Sequence, residues 1–101
     1  MKKNNTDEPK RLDGNQVIIT GEVSKVVRAT DKIATFSIKC VAGKGDKTYT
    51  CYPTIKWFNP SDVVAEGDKV MIEGHIMTGS YDGKNGKVYT TDIVVDSIDA
   101  I

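Results

Sequence analysis

Between Lys32 and Val41 the side chains alternate without a break. Ala34, Phe36, Ile38 and Cys40 fall on one side of an extended chain, and Ile33, Thr35, Ser37 and Lys39 fall on the other. A period of two belongs to a β-strand with one buried face, whereas a helix would scatter the same residues around its circumference. Turn residues follow at Ala42-Gly43-Lys44-Gly45-Asp46-Lys47, and then a second extended stretch from about Thr48 to Phe58. The two stretches read as a hairpin. With its turn centred near Gly45 and Asp46, facing residues carry numbers that sum to 91, which sets Cys40 opposite Cys51, Ile38 opposite Pro53, Phe36 opposite Ile55 and Ala34 opposite Trp57. All four pairs can lie inward. The outer face then sets Lys39 opposite Tyr52, Thr35 opposite Lys56 and Ile33 opposite Phe58, so that rings and lysines interleave. Pro53 has no amide donor, and a bulge there would shift the parity beyond it and exchange Trp57 for Phe58. Both rings are therefore candidates for the outer face.

The same reading extends to the rest of the chain. Residues 1–14, MKKNNTDEPKRLDG, mix both charges with Asn and Pro and read as a flexible tail ahead of a single domain over 15–101. From Asn15 the chain turns β-branched (Val17, Ile18, Ile19, Thr20, Val23, Val26, Val27), which predicts a long first strand with a bend or bulge at Gly21. Asn59-Pro60 followed by acidic residues and Gly67 predicts one short helix near Pro60 to Glu66. A fourth strand, Lys69 to Tyr81, points Val70, Ile72, Gly74 and Ile76 inward and Met71, Glu73, His75, Met77 and Tyr81 outward. Asp82-Gly83-Lys84-Asn85-Gly86 is a hairpin turn, and the fifth strand runs from Val88 to Ile98 with Tyr89, Thr91, Ile93 and Val95 on its core side. Five strands with a short helix between the third and fourth is the layout of the oligonucleotide-binding (OB) fold, an all-β Greek-key barrel. A five-stranded sheet of other connectivity is the alternative.

Formal net charge is zero, but the charge is unevenly spread along the chain. Lys25 to Lys56 carries seven basic residues against two acidic ones, and Trp57 to Ile101 carries three against eight. One part of the sheet can thus be basic in a neutral molecule. Cys40 and Cys51 have neither the spacing of a CxxC pair nor enough partners for a zinc site, the chain having one histidine; no metal or cofactor is expected, and both thiols are read as free. No combination of nucleophile and base, and no P-loop pattern, points to catalysis. No apolar run has the length of a membrane span, and the first fourteen residues lack the apolar stretch of a signal peptide, so the expected location is cytoplasmic.

Three stretches go further. Asn15-Gln16-Val17-Ile18-Ile19-Thr20-Gly21, Gly67-Asp68-Lys69-Val70-Met71-Ile72-Glu73-Gly74-His75-Ile76 and the hairpin from Tyr81 to Val95 together resemble the bacterial and phage single-stranded DNA-binding protein family. The likeness spans roughly Asn15 to Ile98. It implies single-stranded DNA as partner, bound without sequence preference, in replication, recombination or repair. In that family bases stack on rings of the third strand and at the start of the last hairpin; by position these fall on Tyr52 (with Tyr49 as a rival), on Trp57 or Phe58, and on Tyr81. Lys39 and Lys56 are the expected phosphate contacts, with Lys44, Lys47, Lys84 and Lys87 in the turns and Arg28 completing the basic set. The resemblance also implies homo-oligomers, tetramers or dimers, built partly by pairing of first strands. A Gly/Pro/Gln-rich linker and an acidic tip recruit replication proteins in that family, and neither is seen in this sequence, which reads as a short form of the kind a phage, plasmid or mobile element carries, or as a truncated chain. The rival reading is an accessory scaffold, primosome-like, whose ring-bearing face meets protein instead of DNA.

Overall fold

The computed structural model describes residues 14–101, so the tail expected over 1–14 lies, apart from Gly14, outside the described residues. Among the described residues there are six strands: β1 (Val17–Ala29), β2 (Ile33–Lys44), β3 (Lys47–Cys51), β4 (Thr54–Phe58), β5 (Lys69–Gly83) and β6 (Gly86–Ala100). Strands β3 and β4 are the expected third strand, interrupted at Tyr52-Pro53. The pairing order β1-β5-β6-β4-β2, closed by β1 against β2, makes a five-stranded barrel with β3 appended to β2. All joints are antiparallel except the one between β4 and β6.

The hairpin register is the one read from the alternation. Cys40 faces Cys51, Phe36 faces Ile55, Ala34 faces Trp57 and Ile33 faces Phe58. Pro53 shifts nothing: its carbonyl accepts the Ile38 amide at 3.2 Å, and the proline ring merely takes the place of the return donor. The core consists of Val23, Ala34, Phe36, Ile38, Ile55, Val64, Val70 and Ile72, with Ile19, Val26, Cys40, Trp57, Ile93, Val95 and Ile98 packed around it.

Three expectations are corrected. No helix forms over Pro60 to Glu66. Asn59 takes a positive φ of 52°, which an N-cap does not use, and donates its amide to the Lys32 carbonyl. The carboxylates of Asp62 and Asp68 accept the amides of Val63 and Ala65 at 2.7 and 2.9 Å. Such side-chain turns compete with a helix too short to nucleate, and they let Val64 plug the barrel end instead. Secondly, β1 has no bulge at Gly21. A Cβ there would lie 2.4 Å from the Lys39 carbonyl oxygen, so its role is to let β1 and β2 approach; the register shifts come later, between Val23 and Lys25 and between Val26 and Arg28. Thirdly, Ile76 and Tyr89 lie on the strand face assigned to them, but beyond the end of the core. Both are exposed, Tyr89 at 77%.

The reason is that β5 and β6 outrun the barrel: β2 and β3 make a first arm, closed by Gly45-Asp46, and β5 and β6 continue as a second two-stranded arm, closed by Lys84-Asn85. Since β2 and β5 are both antiparallel to β1, they run in the same direction. Both arms therefore leave the same end of the barrel. At that end too, the Asn15 side chain makes paired hydrogen bonds of 2.9 Å with the backbone of Ile76, extending β1 by one residue's worth of pairing.

Candidate nucleic-acid interface

On the outside of the barrel, cross-strand neighbours form rows. One row runs Arg28, Thr35, Lys56, Val94, His75 across β1, β2, β4, β6 and β5; the next holds Lys25, Ser37 and Thr54; Ile33 and Phe58 make a third. Lys25 and Arg28 are three residues apart, which would put them on opposite faces of a regular strand. The two register shifts in β1 each absorb a residue and bring both cations outward, while Val23 and Val26 stay with the core. Alternation alone could not have placed Lys25 on this face.

Along β4 the outward positions are Lys56 and Phe58, preceded by Tyr52 at the root of the first arm, so that about 20 Å separates the two rings at strand rise. Tyr52 is 57% exposed and Phe58 45%. On the second arm Tyr81 faces Val88 and shares its side with Met77, Thr90 and Asp92, the side that continues the outer face; it is 58% exposed. Tyr52, Phe58 and Tyr81 thus lie on one surface with Lys25, Arg28, Lys39 and Lys56. Trp57 does not. It points to the core side and lines a cavity of ≈ 370 Å³ with Val64, Val70 and Ile98, at the barrel end away from the arms.

The remaining expected cations sit at the arm tips. Lys44 faces Lys47 on the side of the first arm that carries Tyr49, opposite to that of Tyr52. Lys84 is in the second turn, and Lys87 faces Asp82 on the side of Tyr89. Parity therefore separates Lys44, Lys47 and Lys87 from the ring-bearing face, and Lys84 sits at the tip of its arm.

One residue of the face was not foreseen. Asp92, its side chain 10% exposed, holds the Lys56 ammonium at 3.2 Å across the joint between β4 and β6. A carboxylate so far from water needs a cation, and the pair is nearly neutral as a unit. Lys56, the expected phosphate contact, is thus already paired within the protein, with its side chain 32% exposed. Nearby, His75 Nδ1 lies 3.1 Å from Asp96 Oδ2, an exposed pair on the same surface. Among the described residues no group of His, Cys, Asp and Glu could hold a metal ion.

The surface can present ring faces to unpaired bases and ammonium or guanidinium groups to phosphates, the two things that sequence-tolerant single-strand binding requires. The sequence profile of the Single-strand binding protein family matches residues 14–101. A "Single-stranded DNA-binding protein 3" of Listeria innocua is 28% identical over 98 residues, covering 83% of this chain and 61% of the relative. A "Single-stranded DNA-binding protein" of Clostridium perfringens is 36% identical over 66 residues, covering 63% of this chain and 37% of the relative. The chain thus spans less than two thirds of the length of either. In fold, it is similar to the Plasmodium falciparum SSB solved in complex with ssDNA (TM-score 0.71, 19% identity, 92% of this chain and 97% of that one). It is likewise similar to Rim1, a mitochondrial single-stranded DNA-binding protein of S. cerevisiae (TM-score 0.66, 20% identity, 88% and 96%).

Proposed function

Because the chain belongs to the single-strand binding protein family, we propose that it binds and protects single-stranded DNA without sequence preference, by stacking bases on Tyr52, Phe58 and Tyr81. The observation that carries this reading is the gathering of those three exposed rings on one outward surface with Lys25, Arg28 and Lys39. Each stacked base contributes about 1–3 kcal/mol, and every base has a face to stack. The role is binding in replication, recombination or repair, in the cytoplasm, and not catalysis.

Self-association belongs to the same proposal. One edge of Val17–Glu22 pairs with β5, and among the described residues no strand pairs with the other edge of Val17–Thr20, where Ile18 is exposed. An open β-branched edge invites a second copy. Light scattering of untagged protein at high micromolar concentration is expected to show a dimer or tetramer, and a monomer there would refute this part.

Intrinsic fluorescence titrated with oligo(dT) and with duplex DNA, at two salt concentrations, tests the binding. Oligo(dT) is expected to bind more tightly and to quench the tyrosines. If duplex binds as well as oligo(dT), or if neither binds, the accessory-scaffold reading replaces this one.

A further inference from the structure

The geometry points to a second chemical site, unrelated to bases and phosphates, at the root of the first arm. We propose that Cys40 and Cys51 form a reversible intramolecular disulfide when the protein meets an oxidant. They are the chain's only cysteines, and they are direct Cα partners across the β2–β3 ladder.

Their kind of pairing follows from two neighbours. Ile38 donates to the Pro53 carbonyl, and Lys44 faces Lys47 across the two-residue turn. Hydrogen-bonded pairs recur every second residue in an antiparallel ladder, so Cys40 and Cys51, two along from Ile38 and Pro53, form such a pair. The Cα atoms of these pairs are about 5.5 Å apart, inside the range that a disulfide spans, and their Cβ atoms, about 5 Å apart, must draw in by about 1 Å to bridge, which leaves the bond easily reduced. The side chains of facing residues leave the sheet on the same side. Cys40 packs against the rim of the core, and both thiols are free and half-buried, within reach of small oxidants.

A low-molecular-weight disulfide suffices as oxidant. One protein thiol, as thiolate, attacks it and displaces one small thiol; the second protein thiol then attacks the mixed disulfide and displaces the other. The protein sulfurs are oxidised by two electrons, and both protons leave on the two small thiols. The bond remains half-exposed at a surface, and exposed disulfides are the readily reduced ones. It pins β3, which among the described residues pairs with β2 alone.

The test uses the whole purified chain equilibrated in oxidised and reduced glutathione. Alkylation and intact mass are expected to show both thiols lost together as two hydrogens, with the protein's oligomeric state unchanged, and both restored when reduced glutathione is in excess. Bridging at a given ratio should exceed that of the same chain in urea by roughly tenfold, because the ladder holds the sulfurs together. Amide exchange over residues 41–50 should slow in the bridged form. Cys40→Ser and Cys51→Ser should each yield only a glutathione adduct. Equal bridging in urea, disulfide-linked dimers in place of the internal bridge, or a bridge that reduced glutathione cannot open would each overturn the proposal. None of these readouts involves DNA.

Discussion

Adjacent residues in β4 have opposite fates. Phe58 faces outward and Trp57 packs against the core, so truncating each should register in a different experiment. Trp57→Ala is expected to cost about 2–4 kcal/mol in thermal or urea unfolding, somewhat less than a fully buried ring. Phe58→Ala should leave stability nearly unchanged while weakening oligo(dT) binding. Tyr81→Ala should weaken it by about 1–3 kcal/mol with the same salt slope, since a stacked base releases no counterion. Loss of binding with Trp57→Ala in a folded protein, and none with Phe58→Ala, would reverse the assignment. Asp92 makes a sharper case. Replacing it by Asn releases Lys56 to meet phosphate, and the single-strand salt slope should steepen by about 0.7. Lys56→Ala should instead leave the slope almost where it was and cost about 1–3 kcal/mol of stability, by stranding a carboxylate that has little water.

At the level of strands and turns, the alternation of Ala34, Phe36, Ile38 and Cys40 together with the turn at Gly45-Asp46 gave the register of the hairpin through to Phe58: a one-residue slip would have set inward side chains against outward ones, and the turn excluded longer slips. Parity was legible; depth was not. Tyr89 and Ile76 lie on the face assigned to them, yet where an arm outruns its barrel is decided by how many neighbouring strands reach that far, and no local pattern records it. The bulges of β1 were invisible for a related reason: they are events of backbone pairing, and Ser24 and Val27 carry no mark of being skipped. The helix expected from Asn59-Pro60 failed because Asp62 and Asp68 serve local turns. The close approach of β1 and β2 at Gly21 makes an element-level prediction. Gly21→Ala must force the Lys39 carbonyl and the Ile38 side chain aside, and should lower unfolding stability by about 1–3 kcal/mol. An unchanged melting temperature would mean that the strands part there at no cost.

For the molecule as a whole, a net charge of zero conceals a directional arrangement. The basic stretch from Lys25 to Lys56 folds into β1, β2, β3 and β4, whereas most of the acidic surplus lies in β5, β6 and the segment before them. Affinity for single strands should therefore fall with salt, though less steeply than for a protein with a large positive charge. The lopsidedness of the sequence was readable; that Asp92 crosses into the basic territory was not, since it depends on the parallel joint that sets Lys56 beside Val94.

That joint also determines when the molecule can exist. β6 supplies two of the barrel's five seams, one to β5 and one to β4, and the seam to β4 links residues as distant in the chain as Ile55 and Ile93. Contacts between such remote residues reward the chain late, so folding should be slow, in the millisecond-to-second class. During synthesis, everything up to Gly83 emerges with the edges of β4 and β5 bare. A chain stopped at Gly83 is expected to aggregate on expression, while the full chain stays soluble. On a ribosome, compaction measured by force or by protease resistance should arrive in one step, only after Val94 has cleared the exit tunnel.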